Sequence, residues 1–329
     1  MKCAVYGSQG HYGYIREAAA LDPSIEVAGI AGAAEDDLEP LIKAFPGAAV
    51  YPDLETLLRK TQPDVLGVAP AFYRAAGASV YAMENGVDVF SEKPLAVNEK
   101  ELRELVAVWK RTGRELAAMF GIAFEPWYLT VKKAVADGLV GDICLLHGQK
   151  SYKLGTRPDF FREREKSGGL IPWVAIHALD WALDFGGEPE SVSAVHSSRY
   201  NHGYGDLEIS AAVLLRFESG AAATVTADYC RPAGSARHDD DRLRITGTKG
   251  TLEAVDGQVF LEDESPKRAL ELQSAGNCLI DFLEKRREGK ADETARRAFR
   301  ATCIALAARH AADEGVLVKL TKEEMDITR

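Results

Sequence analysis

At Ser91-Glu92-Lys93-Pro94-Leu95 the chain places a lysine just after the apolar run Val87-Asp88-Val89-Phe90. Such a run reads as a buried strand, and Pro94 stops regular pairing. In an open parallel sheet, ligands bind at that carboxyl rim. A lysine there is costly to desolvate, and burial lowers its pKa toward neutrality. So tuned, it can accept and release a proton near neutral pH. The same five residues also describe an ordinary surface lysine after a strand, and alone they leave both readings open.

A second titratable group sits in Gly168-Gly169-Leu170-Ile171-Pro172-Trp173-Val174-Ala175-Ile176-His177-Ala178-Leu179-Asp180. His177 and Asp180 stand at i, i+3 and would share one helix face, letting the carboxylate hold an imidazole tautomer or contact a hydroxyl. A satisfied core histidine is the plainer reading of this apolar segment taken alone. His147, His196, His202 and His310 have no partner pattern and read as structural.

Gly7-Ser8-Gln9-Gly10-His11-Tyr12-Gly13 falls between the first strand and the first helix. Glycines there let the backbone approach a pyrophosphate seated on the helix N-terminus. Read as G-x-G-x-x-G, the motif has Ser8 in place of its first glycine; a glycine turn with no ligand is the alternative. His11 in this turn is placed to contact cofactor or substrate. After the second strand, where an acid usually takes the ribose 2′-hydroxyl, stands Ala31-Gly32-Ala33. The nearest carboxylates are Glu35, Asp36 and Asp37, with no Arg or Lys before Lys43, which favours NAD over NADP. Those acids would also suit a helix start.

These groups need a scaffold. The first 120 or so residues alternate strand and helix signals, as in a doubly wound parallel sheet. Strands are expected at Lys2–Tyr6, Glu26–Ala31, Asp64–Ala69, Val87–Phe90 and Glu115–Phe120. Helices are expected at Tyr12–Leu21, Asp36–Phe45, Leu54–Lys60 and Arg74–Asn85, and from a capping box at Asn98 and Glu101 to Gly113. Beyond Gly141 the pattern alternates apolar with polar, at Leu207–Phe217 and Ala223–Ala227, as in an open antiparallel sheet with one face free. Arg242–Thr246, Thr251–Val255 and Val259–Glu262 extend it, followed by helices Ala275–Glu288 and Thr294–Glu314 and a strand Val316–Leu320. The fold class is α/β: a Rossmann domain over 1–121 and an α+β domain over 122–329 with a mostly antiparallel sheet.

Composition narrows the function. With 329 residues and 46% hydrophobic content, the chain can build two domains with real cores. A net charge of −10 argues against a nucleic-acid surface. No apolar run reaches the roughly 18 residues of a membrane span, and Met1-Lys2-Cys3-Ala4-Val5 leads into a strand, so neither span nor signal peptide is expected. Five scattered cysteines suggest buried free thiols in a cytoplasmic protein, with no zinc or disulfide framework. Asp239-Asp240-Asp241 reads as a solvated turn and not as a metal site.

Glu92-Lys93-Pro94 after a Rossmann strand, the glycine segment ending at Asp180, and the stretch Asp241–Gly250 (DRLRITGTKG) together resemble the Gfo/Idh/MocA (glucose–fructose oxidoreductase/inositol dehydrogenase) family. The resemblance spans essentially the whole chain. It implies an NAD(P)-binding domain, and a C-terminal domain whose open sheet often joins subunits into a homodimer or homotetramer. It also implies oxidation or reduction of a secondary alcohol or ketone on a sugar or cyclitol. The family's lysine and histidine map to Lys93 and His177, with Asp180 beside them. The candidate cofactor contacts are Gly7, Ser8, Gln9, Gly10, His11, Tyr12, Gly13, Glu35, Pro70, Glu92 and Lys93. The candidate substrate contacts are Lys93, Trp173, His177 and Asp180.

Two departures stand out. Trp173 replaces the aspartate common four residues before the histidine; it either stacks on a pyranose face or packs in the core. Ala69-Pro70-Ala71 replaces the usual T-P-N. Three readings follow: an NAD-dependent dehydrogenase of a sugar or polyol, an enzyme that oxidises transiently to eliminate a glycosidic substituent, and a non-catalytic ligand sensor.

Overall fold

Strands β1 (Lys2–Tyr6), β2 (Glu26–Ala31), β3 (Ala49–Val50), β4 (Val65–Val68), β5 (Asp88–Ser91) and β6 (Leu116–Ala118) form a parallel sheet in the order β3-β2-β1-β4-β5-β6. They belong to a computed structural model that describes residues 1–320. Helices α1 (Gly13–Leu21), α2 (Glu39–Ala44), α3 (Leu54–Thr61), α4 (Phe72–Glu84) and α5 (Glu99–Thr112) connect these strands. β4 and β5 are buried along their whole length, as continuous apolar strands between two helix layers must be. Helix α5 opens as expected: Asn98 Oδ1 accepts from the Glu101 N–H at 3.0 Å, and Gly113 closes it at φ +62°.

Helix α2 starts later than its acidic residues suggest, at Glu39 in place of Asp36. The Asp36 carboxylate instead accepts from the backbone N–H groups of Ser8 (3.0 Å) and Ala33 (2.8 Å), which keeps it in the loop.

Past α6 (Pro126–Ala136), the chain lays down β7 (Ile143–Tyr152), α7 (Arg164–Ser167), α8 (Ile176–Gly186) and β8 (Pro189–Ser197). Strands β9 (Ser210–Phe217), β10 (Ala222–Asp228), β11 (Asp239–Gly247), β12 (Thr251–Val255), β13 (Gln258–Glu262) and β14 (Arg268–Ala269) follow. Helices α9 (Cys278–Arg287) and α10 (Asp292–Glu314) and strand β15 (Val318–Lys319) complete the described chain. The second sheet runs β14-β13-β12-β11-β7-β10-β9-β8-β15. It is antiparallel except where β10 pairs with β7 in parallel.

Strands β3, β7, β8 and β14 have no counterpart among the expected strands. In β7 a buried charge, Lys150, and Gly148, whose added Cβ would meet the Ala178 Cβ at 3.0 Å, break the expected alternation. Although α9 follows the second sheet in sequence, Leu279 and Phe282 pack in the core of Val5, Ile15 and Phe90 under the first. Of the cysteines, Cys3 and Cys278 are buried free thiols as expected, but Cys144 and Cys230 are exposed. Among the described residues no helix is long and apolar enough to cross a membrane, and no group of three His, Cys, Asp or Glu side chains could hold a metal ion.

Candidate active site

Lys93 lies two residues beyond β5, where the Glu92 N–H still donates to Val68 O of β4 at 2.7 Å. Its side chain turns inward and is only 1% exposed. The ammonium nitrogen donates to the Trp173 carbonyl at 2.8 Å and sits 3.4 Å from the centroid of the same residue's indole. Trp173 belongs to a widened helical turn, Ile171–Ala175, that runs into α8; such π-type turns are frequent at functional sites. Burial brings the Lys93 pKa down to about 7; the Glu92 carboxylate opposes, and the Lys150 and Arg157 cations reinforce. Lysine in this setting exchanges a proton near neutrality.

His177, in the first turn of α8, is 2% exposed, and its Nε2 has no hydrogen-bond partner among the described residues. Burial first, then the nearby Lys93, Lys150 and His11, hold its pKa well below the ordinary value, so the ring is neutral. The His11 ring meets it edge-on, 6.5 Å between centroids, and also stacks on Trp173 at 5.8 Å. Lysine and both histidines therefore converge on one spot.

Asp180 does not join them. Its buried carboxylate accepts two 2.7 Å hydrogen bonds from Nε and Nη2 of Arg297 on α10. The i, i+3 spacing expected to pair Asp180 with His177 serves instead to tie α8 to α10, because a two-pronged guanidinium satisfies a buried carboxylate better than one imidazole N–H. Trp173 is buried and stacks on Phe72 at 3.9 Å, so packing and the grip on Lys93 occupy its ring.

Glu92 was expected at the cofactor; the structure seats it beneath the glycine turn. Its carboxylate accepts from the His11 backbone N–H at 2.5 Å, contacts His11 Nδ1 at 2.9 Å, and accepts from the Lys93 N–H at 3.0 Å. Glycine at position 10 makes room for this carboxylate: an added Cβ would lie 2.3 Å from Glu92 Oε2, so Glu92 would have to shift. Burial would raise the Glu92 pKa, but His11 and Lys93 outweigh it and the carboxyl stays below its ordinary value. His11, with 39% of its side chain exposed, is the outward-facing member of this dyad.

The glycine turn itself fits a pyrophosphate. The N–H groups of Gly10 and Tyr12 donate to nothing among the described residues, and an added Cβ at Gly13 would meet nothing within 4 Å. Gly7 takes φ +91°, and an added Cβ there would lie 2.1 Å from Pro70 N, so Pro70 walls the turn. Ser8 and Gln9 turn inward, to Asp36 and to Ala69 O. Of the expected acids it is Asp36, not Glu35, that reaches the turn. Glu35 accepts from Tyr73 Oη at 2.6 Å and from Arg74 Nε. The reading that no cation lies near those acids is thus corrected: Arg74 comes from α4, distant in sequence.

The second sheet contributes groups that the sequence reading missed. Lys150 of β7 is buried against Asp241 of β11, with Nζ 2.6 Å from Oδ2. Asp241 therefore lies within a strand as half of a buried ion pair and not in a solvated turn. Tyr229 Oη and Trp173 Nε1 are also buried, close to each other. The signal that could have exposed the ion pair was a lysine and an aspartate each in a strand-like alternation, on strands whose pairing the sequence does not state.

Residues 1–120 match a family described as "Oxidoreductase family, NAD-binding Rossmann fold", and residues 128–253 match the "GFO/IDH/MocA C-terminal domain". A Thermotoga maritima structure described as an oxidoreductase superposes with a TM-score of 0.93 at 40% identity, covering 97% of this chain and all of that one. The 2,7-anhydro-N-acetylneuraminate hydratase of Mediterraneibacter gnavus is 29% identical over 210 residues, 62% of this chain and 54% of that protein. Inositol 2-dehydrogenase of Rhizobium meliloti is 27% identical over 172 residues, 51% of this chain and 50% of that protein. The chain thus spans about half the length of these curated relatives.

Proposed function

Because the chain belongs to the Gfo/Idh/MocA family of NAD-binding oxidoreductases, we propose that it is an NAD-dependent dehydrogenase of a secondary alcohol on a sugar, cyclitol or related hydroxy compound. The observation that carries this is Lys93: buried at the sheet rim, fixed by the Trp173 carbonyl, and near neutrality in pKa. Bound NAD supplies the hydride acceptor. Lys93 in its neutral form takes the hydroxyl proton during oxidation and returns it during reduction. His177, neutral throughout, orients the same oxygen through its free Nε2. Trp173 holds the lysine in place and does not serve as a sugar platform.

The test is a panel of cyclitols, aldoses and anhydrosugars incubated with NAD and followed at the absorbance of the reduced nicotinamide. Net NADH from at least one class is expected. Tight NAD binding with no turnover of any member would favour a ligand sensor.

A second reading is supported by the His11–Glu92 contact, a second pair of ionisable side chains beside Lys93. An enzyme that oxidises transiently, removes a proton from the adjacent carbon and eliminates a substituent needs two such groups, and one relative is described as a hydratase. That reading predicts substrate consumption with no net NADH.

A further inference from the structure

After β7 the chain passes through Arg157 into the short helical turn Asp159–Arg162. Phe160 and Phe161 of that turn are buried against Phe72, at 5.1 and 5.5 Å between ring centroids, and the Arg157 N–H donates to Tyr204 Oη at 3.2 Å. The loop is therefore fixed from two sides. The Arg157 guanidinium carbon lies 4.7 Å from the centroid of the Tyr229 ring, and Nη2 donates to Lys153 O at 2.9 Å. Its Nε is shut off from water and has no acceptor among the described residues. Tyr229 Oη is buried close to Trp173 Nε1; an indole N–H donating to it still leaves the phenol proton without an acceptor. Trp173 is the residue that grips Lys93, and Arg157 is near enough to lower the Lys93 pKa. Two buried donors thus stand open beside the lysine.

The protein's own carboxylates do not complete them. Those whose charge reaches Tyr152 or Tyr229 are Glu92, Asp239, Asp241 and Glu208. Each already has a basic partner: His11, Arg237, Lys150 and Arg164 in turn. Lys93, Lys153 and Arg157 are left without a carboxylate partner among the described residues. Of these, Lys93 is near neutrality and Lys153 turns away to donate to Ser235 O. Arg157 is the fixed positive charge that remains, and a guanidinium with a buried, open Nε is costly unless an anion meets it. Tyr229 also lines a cavity of about 710 Å³ whose charged linings are Lys153, Arg199 and Arg231, joined by His202 and by no Asp or Glu. From these contacts we infer that the substrate is an acid: a hydroxy compound with a carboxylate near the carbinol that Lys93 serves, the carboxylate bound by Arg157 Nε and the Tyr229 hydroxyl. One unpaired guanidinium matches the single charge of a carboxylate, and charge-assisted hydrogen bonds are the strong ones. Sugar acids and other hydroxy acids fill both donors, whereas a neutral sugar leaves a charged donor unsatisfied.

This inference rests on the proposed function, because it names the class of compound at the same site; binding is therefore measured apart from turnover. Glucuronate, galacturonate and gluconate are titrated calorimetrically into the NAD-loaded protein against glucose, galactose and sorbitol, with glucose 6-phosphate as a second kind of anion. At least one acid should bind at least about tenfold tighter than its neutral partner, and tighter than the phosphate. Arg157→Gln should cut that acid-to-neutral ratio at least about tenfold, and Arg157→Lys should keep part of it. Tyr229→Phe retains the ring and should lower the ratio at least about threefold, which keeps the test open should Arg157→Gln fail to fold in a thermal melt. An acid bound tightly with no NADH formed would count against the dehydrogenase and support the acid site. NADH from a neutral sugar, with no acid preferred, would do the reverse. The inference is overturned if no acid outbinds its neutral partner, if the phosphate outbinds every acid, or if the ratio survives both Arg157→Gln and Tyr229→Phe.

Discussion

Lys93 and His177 differ in how pH reaches them. The Lys93 pKa is about 7, whereas His177 is held neutral by burial and neighbouring cations. A single titration should therefore govern alcohol oxidation: kcat/KM should rise through pH about 7 and level off, and His177→Gln should lower the plateau without moving the midpoint. A midpoint that moves with His177 would assign the proton to the imidazole. The same shift has a stability consequence. The folded pKa lies below the unfolded value of 10.5, so between about 7 and 10.5 the unfolded chain binds the extra proton, and stability from this group rises with pH. Lys93→Met should flatten that rise in a thermal-melt series, and an unchanged slope would contradict the assignment. Lys93 was legible because its strand, its proline and its glutamate are contiguous. Its partners were not: Glu92 meets His11 across 81 positions and Lys150 meets Asp241 across 91, and no local pattern encodes either contact.

At the scale of elements, α8 is the part that must not move, since it carries His177 and continues from the turn that grips Lys93. The Asp180–Arg297 pair anchors it to α10. Arg297→Ala leaves a buried carboxylate unpaired and should destabilise the protein by about 3–5 kcal/mol in a denaturant titration; Asp180→Asn with Arg297→Gln should recover much of that loss. A destabilisation under about 1 kcal/mol for the single change would show the pair to be dispensable. Helices with local stop signals were readable: α5 has both its capping asparagine and its closing glycine in sequence. Helix α2 was misplaced at its start because Asp36, a plausible cap by type, answers to Ser8 in another loop. Likewise β7 was missed because a strand between two others buries a charge that its neighbour neutralises.

At the scale of the whole molecule, the second sheet keeps one face bare among the described residues. Leu145 of β7, Leu214 of β9 and Val195 of β8 are all exposed, and the strand register puts them on one side with Thr224 and His147. An apolar face of this kind invites a second copy, and a shared sheet face closes a twofold dimer. We propose a homodimer, or a dimer of dimers, joined there. Light scattering at micromolar concentration should report at least twice the 35.8 kDa chain mass, and Leu214→Glu should return it to the monomer. A wild-type monomer would refute the arrangement.

The central claim is that Lys93 moves the substrate proton. The direct measurement is kcat of Lys93→Met against the wild type, with NAD and the panel compound that yields NADH. NAD affinity by calorimetry and the thermal melt are recorded on the same samples. The fold and NAD affinity should persist while kcat falls at least about 100-fold, the size expected when a general acid–base group is deleted. Unchanged turnover in a folded, NAD-binding variant would contradict the claim and leave His177 or His11 as the base.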